Sequence, residues 1–176
     1  MKEKVSVLIP EEELTAKIRE LGETVSREFE GEDIVIVCVL KGAVFFATEL
    51  AKRITVPVTM DFMIASSYGS STISSGEVVI SKDLDTDIAG RNVVIAEDII
   101  DTGNTLSKLK RVFENRGAKT VKVCAMLDKP DRRTAPITGD YVGFSIPDKF
   151  VVGYGLDYDQ KYRNLPYIGV VEFEED

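Results

Sequence analysis

At 176 residues, with hydrophobic residues at 44% and charged residues at 30%, the chain has the size and composition of one soluble domain with its own core. Its 22 Lys and Arg against 30 Asp and Glu leave a net charge of −8, which argues against sequence-independent nucleic-acid binding. The absence of His excludes Ser-His-Asp and Cys-His triads and His-ligated metals, so any general base must be a carboxylate, Lys, Tyr or Cys.

The first expected element is a helix. Pro10 and three glutamates suit its N-terminus, Leu14, Ile18, Leu21, Val25 and Phe29 recur at spacings of three and four, and Gly31 closes it. Ile34 to Leu40 is a continuous apolar run, the pattern of a strand covered on both faces. Lys41-Gly42 interrupts it, and Ala43 to Arg53 reads as a helix, then Val58 to Ile64 as a strand. Residues 65–77 carry six Ser and two Gly, which suits a mobile lid and equally a plain polar hairpin connection. Val78 to Ser81 reads as the returning strand and Val93 to Glu97 as another. A helix is expected from Thr105 to Arg116, with Leu106, Leu109, Val112 and Phe113 inward and Gly117 as its stop, then a strand from Val121 to Leu127.

This repetition predicts an α/β fold with a doubly wound, mostly parallel sheet flanked by helices. From about Lys129 short strands (Tyr141 to Phe144, Val151 to Gly155, Ile168 to Val171) alternate with loops rich in Pro, Gly and Asp, which reads as a small add-on subdomain. Cys38 and Cys124 lie in apolar strand-like runs and read as buried free thiols rather than a disulfide, which fits a reducing compartment. The opening MKEKVSVLIP lacks the apolar stretch of a signal peptide, and the Ile34–Leu40 run is too short to span a bilayer. A cytoplasmic protein with no membrane and no nucleic-acid partner is expected.

Chemistry concentrates in VVIAEDIIDTGNTL, Val93 to Leu106, read as strand, loop and helix. Asp101-Thr102-Gly103-Asn104-Thr105 offers backbone N–H groups at a helix N-terminus, two hydroxyls and a Gly permitting close approach. That set suits a monophosphate held without a Lys. The Gly-Lys-Ser/Thr ending of a Walker A loop is missing. Glu97 and Asp98, just before it, would repel a phosphate unless sugar hydroxyls and a Mg²⁺ ion lay between, so the stretch points to a ribose 5-phosphate pocket. The plainer alternatives are that Asp101 caps the helix and that Glu97 and Asp98 are solvated.

Glu97 to Thr105, EDIIDTGNT, resembles the ribose-phosphate motif of the type I phosphoribosyltransferases. Asp148 to Tyr158, followed by Arg163, resembles the purine-binding end of the hypoxanthine-guanine members, and Leu40-Lys41-Gly42 and Ser67-Tyr68 resemble their diphosphate loop and lid. The resemblance runs from about Val5 to Val171 with the motifs in the family's order. It implies one phosphoribosyltransferase domain, with a core of about residues 30–128, a hood from the N-terminal segment and about 129–176, and a lid at 66–77.

The same resemblance implies transfer of ribose 5-phosphate from phosphoribosyl diphosphate to N9 of a 6-oxopurine (hypoxanthine, guanine or xanthine), with Mg²⁺ as cofactor, in a homodimer or homotetramer. Asp101 would hold the purine N7 proton, and Thr102, Gly103, Asn104 and Thr105 the 5′-phosphate. Glu97 and Asp98 would take the ribose hydroxyls and a metal ion, Asp157 a second ion. Lys41-Gly42 would face the diphosphate through a cis peptide, and Arg163 would add a contact. Phe150 would stack on the base beside Lys149, Val151 would read its edge, and Lys129 would donate to O6. On residue type alone, Arg163 also fits a surface Arg and Phe150 a core aromatic. Asn104 stands where some members carry Lys, giving a neutral donor in place of a charge. A regulator that binds phosphoribosyl diphosphate as a signal, and a transferase for another base, are the competing readings. A regulator would be expected to lose Asp101 or the lid, or to gain a basic surface.

Overall fold

The computed structural model describes residues 2–67 and 78–174. The expected lid falls almost wholly outside these residues, and Tyr68 with it. Six strands form the main sheet in the order β4-β3-β2-β5-β6-β7: β4 (Val78–Lys82), β3 (Val58–Ser67), β2 (Ile34–Val39), β5 (Asn92–Ile100), β6 (Thr120–Asp128) and β7 (Tyr141–Ser145). All neighbours are parallel except β3 and β4, so the doubly wound reading holds with one antiparallel edge. A second, three-stranded antiparallel sheet runs β1-β9-β8, from β1 (Lys2–Ile9), β9 (Ile168–Glu174) and β8 (Val151–Val152).

The apolar run of β2 explains the layering. All six residues are buried, and they alternate between two cores. Ile34, Ile36 and Cys38 pack with Leu14 and Ile18 of α1 (Glu11–Glu28) and Phe46 and Leu50 of α2 (Val44–Arg53). Val35, Val37 and Val39 pack with Leu106, Leu109 and Phe113 of α3 (Asn104–Asn115) on the other face. Period-two alternation on a central strand thus serves helices on both faces. Cys38 and Cys124 are buried and unbonded, and burial pushes the Cys38 thiol up to about 12. No described helix is long and apolar enough to cross a membrane.

Several boundaries differ from expectation. The chain opens with β1 rather than with α1, and β1 is held by β9 from the far end of the chain. β3 continues to Ser67, so the polar connection begins later than residue 65. β5 continues to Ile100, which carries the strand past Glu97, its expected end, and places Asp98 inside it as well. β7, in the segment read as the add-on, pairs with β6 and belongs to the main sheet. The strand expected at Val151–Gly155 is only Val151–Val152, because Gly153 and Gly155 turn the chain away.

Candidate active site

The site lies at the carboxyl ends of β2, β5 and β6, where open parallel sheets bind ligands. β5 delivers its two carboxylates side by side, with only Asp101–Gly103 between its end and α3. Glu97 lines a pocket of about 240 Å³ together with Asp101, Thr102, Gly103, Asn104 and Thr105. Asp98 faces the turn after β2 instead. A Cβ on Gly42 would stand 1.6 Å from Asp98 Oδ2, so a side chain there would have to displace the Asp98 carboxylate or the turn. The non-proline cis peptide is Leu40–Lys41, one bond earlier than the expected Lys41-Gly42.

Burial, reinforced by the neighbouring Asp98 carboxylate, pushes Glu97 well above the usual carboxylate range. Burial pushes Asp98 up to about 6, although the Ile99 N–H bond and the nearby Arg163 guanidinium pull it down. Two half-buried, neighbouring carboxylates, with only the Arg163 guanidinium near one of them, are what a divalent cation or several hydroxyl donors would relieve.

The turn before α3 is open. Gly103 stands at the N-cap of α3 with φ +80°, and the first helical bond is Ser107 N–H to Gly103 O at 2.9 Å. Among the described residues, the N–H groups of Gly103, Thr105 and Leu106 have no protein acceptor, while Asn104 N–H donates weakly to Thr102 Oγ1 at 3.4 Å. Asp101 makes no cap bond to α3; its Oδ1 accepts from Arg132 Nε at 3.1 Å. The plainer reading of Asp101 as a helix cap is therefore excluded.

A second pocket, of about 340 Å³, adjoins the first. Asp101 and Ile99 line both, and Lys129, Phe150, Val151 and Asp157 line only the second. Lys129 is 8% exposed with its Nζ 3.8 Å from the Asp148 carboxylate. Phe150 is 49% exposed and stands edge to face with Tyr158, ring centres 5.6 Å apart, so it is not a core aromatic. Val151 is buried in β8 against Val170, and Lys149 is exposed. A groove of about 360 Å³ between α1, α2 and the turn at Tyr154–Pro166 contains none of the expected residues.

Arg163 is not a free surface Arg. Its Nη1 donates to Gly155 O at 2.7 Å, and its Nη2 pairs with Asp157 Oδ1 at 2.9 Å. Asp157 Oδ2 also accepts the Gln160 N–H at 2.8 Å. Lys41 Nζ reaches Gln160 Oε1 at 3.3 Å. The two acidic sites do not merge: among the described residues no three Asp, Glu or Cys side chains converge as a metal cage. Ser67 closes β3 opposite Val78.

Residue reasoning missed Arg132, Arg133, Asp128 and Gln160. The available signal was two consecutive arginines just past the carboxyl end of β6, where a ligand-binding loop belongs.

The phosphoribosyl transferase domain model matches residues 10–159. A hypoxanthine-guanine phosphoribosyltransferase of Bacillus subtilis (strain 168) is 54% identical over 166 residues, covering 94% of this chain and 92% of that protein. Its counterpart in Streptococcus thermophilus (strain CNRZ 1066) is 51% identical over 168 residues, 96% of this chain and 93% of that protein. The crystal structure of a hypoxanthine-guanine phosphoribosyltransferase from Bacillus anthracis matches with a TM-score of 0.91 at 47% identity, covering 98% of this chain and all of that one.

Proposed function

Because the chain belongs to the phosphoribosyltransferase family, and within it to the hypoxanthine-guanine group, we propose that this site transfers ribose 5-phosphate from phosphoribosyl diphosphate to N9 of a 6-oxopurine in purine salvage. The observation that carries the reading is the sharing of Asp101 and Ile99 by the two pockets. One pocket offers unbonded N–H groups at a helix N-terminus, suited to a monophosphate. The other offers an exposed aromatic ring and an ammonium, suited to a flat base with a carbonyl. The glycosidic bond would form between them, beside Asp101.

In this reading Thr102, Gly103, Asn104 and Thr105 hold the 5′-phosphate. Asp101 takes up the N7 proton of the incoming base, the role of a positioned general base. Phe150 stacks on the ring beside the exposed Lys149, Val151 lines its edge and Lys129 donates to O6. Lys41-Gly42 and Arg163 face the diphosphate, Lys41 through backbone N–H as well as charge. Ser67, at the end of β3, and Tyr68 would contact the substrate from the lid in this reading.

Mg²⁺ fits this donor set. Glu97 and Asp98 supply hard oxygen ligands whose raised affinity for protons marks negative charge that the protein leaves unneutralised. Such an ion typically takes one or two carboxylates and completes its shell with substrate oxygens and water, so a pair without a third protein ligand suits it. Asp157 would hold a second ion only by sharing oxygens now bonded to Arg163 and Gln160. When bound, the metal neutralises the departing diphosphate. A cytoplasmic homodimer or homotetramer belongs to the same reading, on family likeness, and free buried thiols agree with a reducing compartment.

The test is a base panel. The protein is incubated with phosphoribosyl diphosphate, Mg²⁺ and, in turn, hypoxanthine, guanine, xanthine and adenine, and nucleotide is followed by absorbance. Hypoxanthine and guanine should give IMP and GMP, and adenine almost nothing. Nucleotide from adenine alone, or from no base, would overturn the reading.

A further inference from the structure

An anion-binding turn works only if its N–H groups face the ligand. In a trans peptide the N–H points opposite to the C=O of the same unit. Turning a carbonyl back therefore turns the next residue's N–H forward. Behind the turn Ile100–Gly103, three consecutive carbonyls are taken up by one segment, Lys129–Ala135. The Lys129 N–H donates to Ile100 O at 2.9 Å. Arg133 Nε donates to Asp101 O at 3.1 Å. The Thr134 and Ala135 N–H groups both donate to Thr102 O, at 3.0 and 3.1 Å. The N–H groups of Asp101, Thr102 and Gly103 are thereby directed away from this segment.

The middle peptide depends on a side chain. Arg133 is the one donor in the set that is not backbone, and each of its three guanidinium nitrogens makes a bond. Besides Asp101 O, its Nη1 donates to Ile137 O at 2.6 Å and its Nη2 pairs with Asp128 Oδ1. The side chain is 15% exposed. It lies directly under the turn: a Cβ on Gly103 would stand 3.0 Å from Arg133 Cδ and 2.5 Å from Ile137 Cγ2. Among the described residues Arg133 is the only partner of Asp101 O, so without it this one carbonyl, between two held ones, is left without a bond that keeps it turned back.

We propose that Arg133, anchored by Asp128, is a positioning residue for phosphoribosyl transfer: it holds the Asp101–Thr102 peptide with its N–H toward the 5′-phosphate, without touching substrate. The inference rests on the phosphoribosyltransferase reading of the site. It also gives the role to geometry rather than to charge. A lysine ammonium is a single point and cannot span Asp101 O, Ile137 O and Asp128 together, whereas the planar guanidinium fork does.

The experiment compares the native protein with Arg133→Met, Arg133→Lys and Asp128→Asn. It measures KM for phosphoribosyl diphosphate, KM for hypoxanthine and Kd for GMP, with a circular-dichroism melt for each protein. Turnover by the native protein is the control for the function itself. If it is absent, the function fails whatever the variants do. With an active native protein, Arg133→Met should raise KM for phosphoribosyl diphosphate and Kd for GMP about ten- to a hundredfold, the worth of a charge-assisted bond. KM for hypoxanthine should move less than about threefold, as for a site acting independently. Arg133→Lys should follow Arg133→Met, and Asp128→Asn should shift the same two constants by less. A fall in kcat with all three constants unchanged, or native constants in Arg133→Lys, would overturn the proposal. Should Arg133→Met fail to fold, the Arg133→Lys and Asp128→Asn proteins make the same comparison.

Discussion

Gly42 and Asp98 stand so close that a single added carbon on Gly42 would fall 1.6 Å from Asp98 Oδ2. The turn after β2 and the end of β5 are thus fitted to each other through one glycine and one carboxylate. Gly42→Ala must push either the backbone of this turn or the Asp98 side chain out of place. Displacements of about 1 Å at a reacting centre typically cost about 10²-fold. The Ala variant should therefore lose at least about 10²-fold in kcat/KM while still giving a cooperative melt. Near-native kcat/KM would show that the close approach has no part in the reaction.

The paired carboxylates of β5 predict a pH dependence. Glu97 and Asp98 hold their protons more tightly in the folded chain than in the unfolded one, Asp98 up to about 6 and Glu97 well above its usual range. Folded-state stability from this pair is therefore present at acid pH and is lost as pH rises from the ordinary carboxylate value through these raised values. Glu97→Gln removes the share of that loss that belongs to Glu97. Its melting temperature should exceed the native one by about 2–4 °C at about pH 7.5, with the difference fading toward about pH 4. Equal melting differences at both pH values would remove the pair from the account. Because metal competes with protons for the same oxygens, millimolar Mg²⁺ should stabilise the native protein more at about pH 7.5 than at about pH 5.

Lys129 predicts selectivity. An ammonium has donors and no acceptor, so it pairs with a 6-oxo group and leaves a 6-amino group facing a donor. In a side chain this buried the mismatch costs about 1–3 kcal/mol or more. Lys129→Ala should raise KM for hypoxanthine and guanine and narrow their kcat/KM advantage over adenine. An unchanged ratio of kcat/KM values in the Ala variant would show that Lys129 does not read the base.

What could be read in advance follows from how local each signal is. The apolar run of β2 and the helical spacing of Leu14, Ile18, Leu21 and Val25 are burial patterns, and burial decided them. The motif from Glu97 to Thr105 was legible because Gly103 and the helix start behind it are a local turn. The apolar run predicts a strand that ends at Glu97; its continuation through Asp98 to Ile100 depends on pairing with β6, far along the chain. β1 was missed for the same reason. Charges at Lys2, Glu3 and Lys4 hide its alternation, and only β9 holds it. Arg133 carried only its place in a pair of arginines past β6, since its partner, the carbonyl of Asp101, lies thirty-two residues away.

The most direct test of the account is Asp101→Asn, because Asp101 is the ionisable residue of the two, Ile99 and Asp101, that line both pockets. Asparagine keeps the shape and the backbone N–H groups of the turn but cannot take up a proton. Binding of IMP and phosphoribosyl diphosphate, measured by calorimetry, should stay within a few-fold of native. The kcat for hypoxanthine should fall by about 10²–10⁴, the worth of one positioned acid–base group. An Asn variant with native kcat would contradict the assignment of Asp101 as the base beside the forming bond.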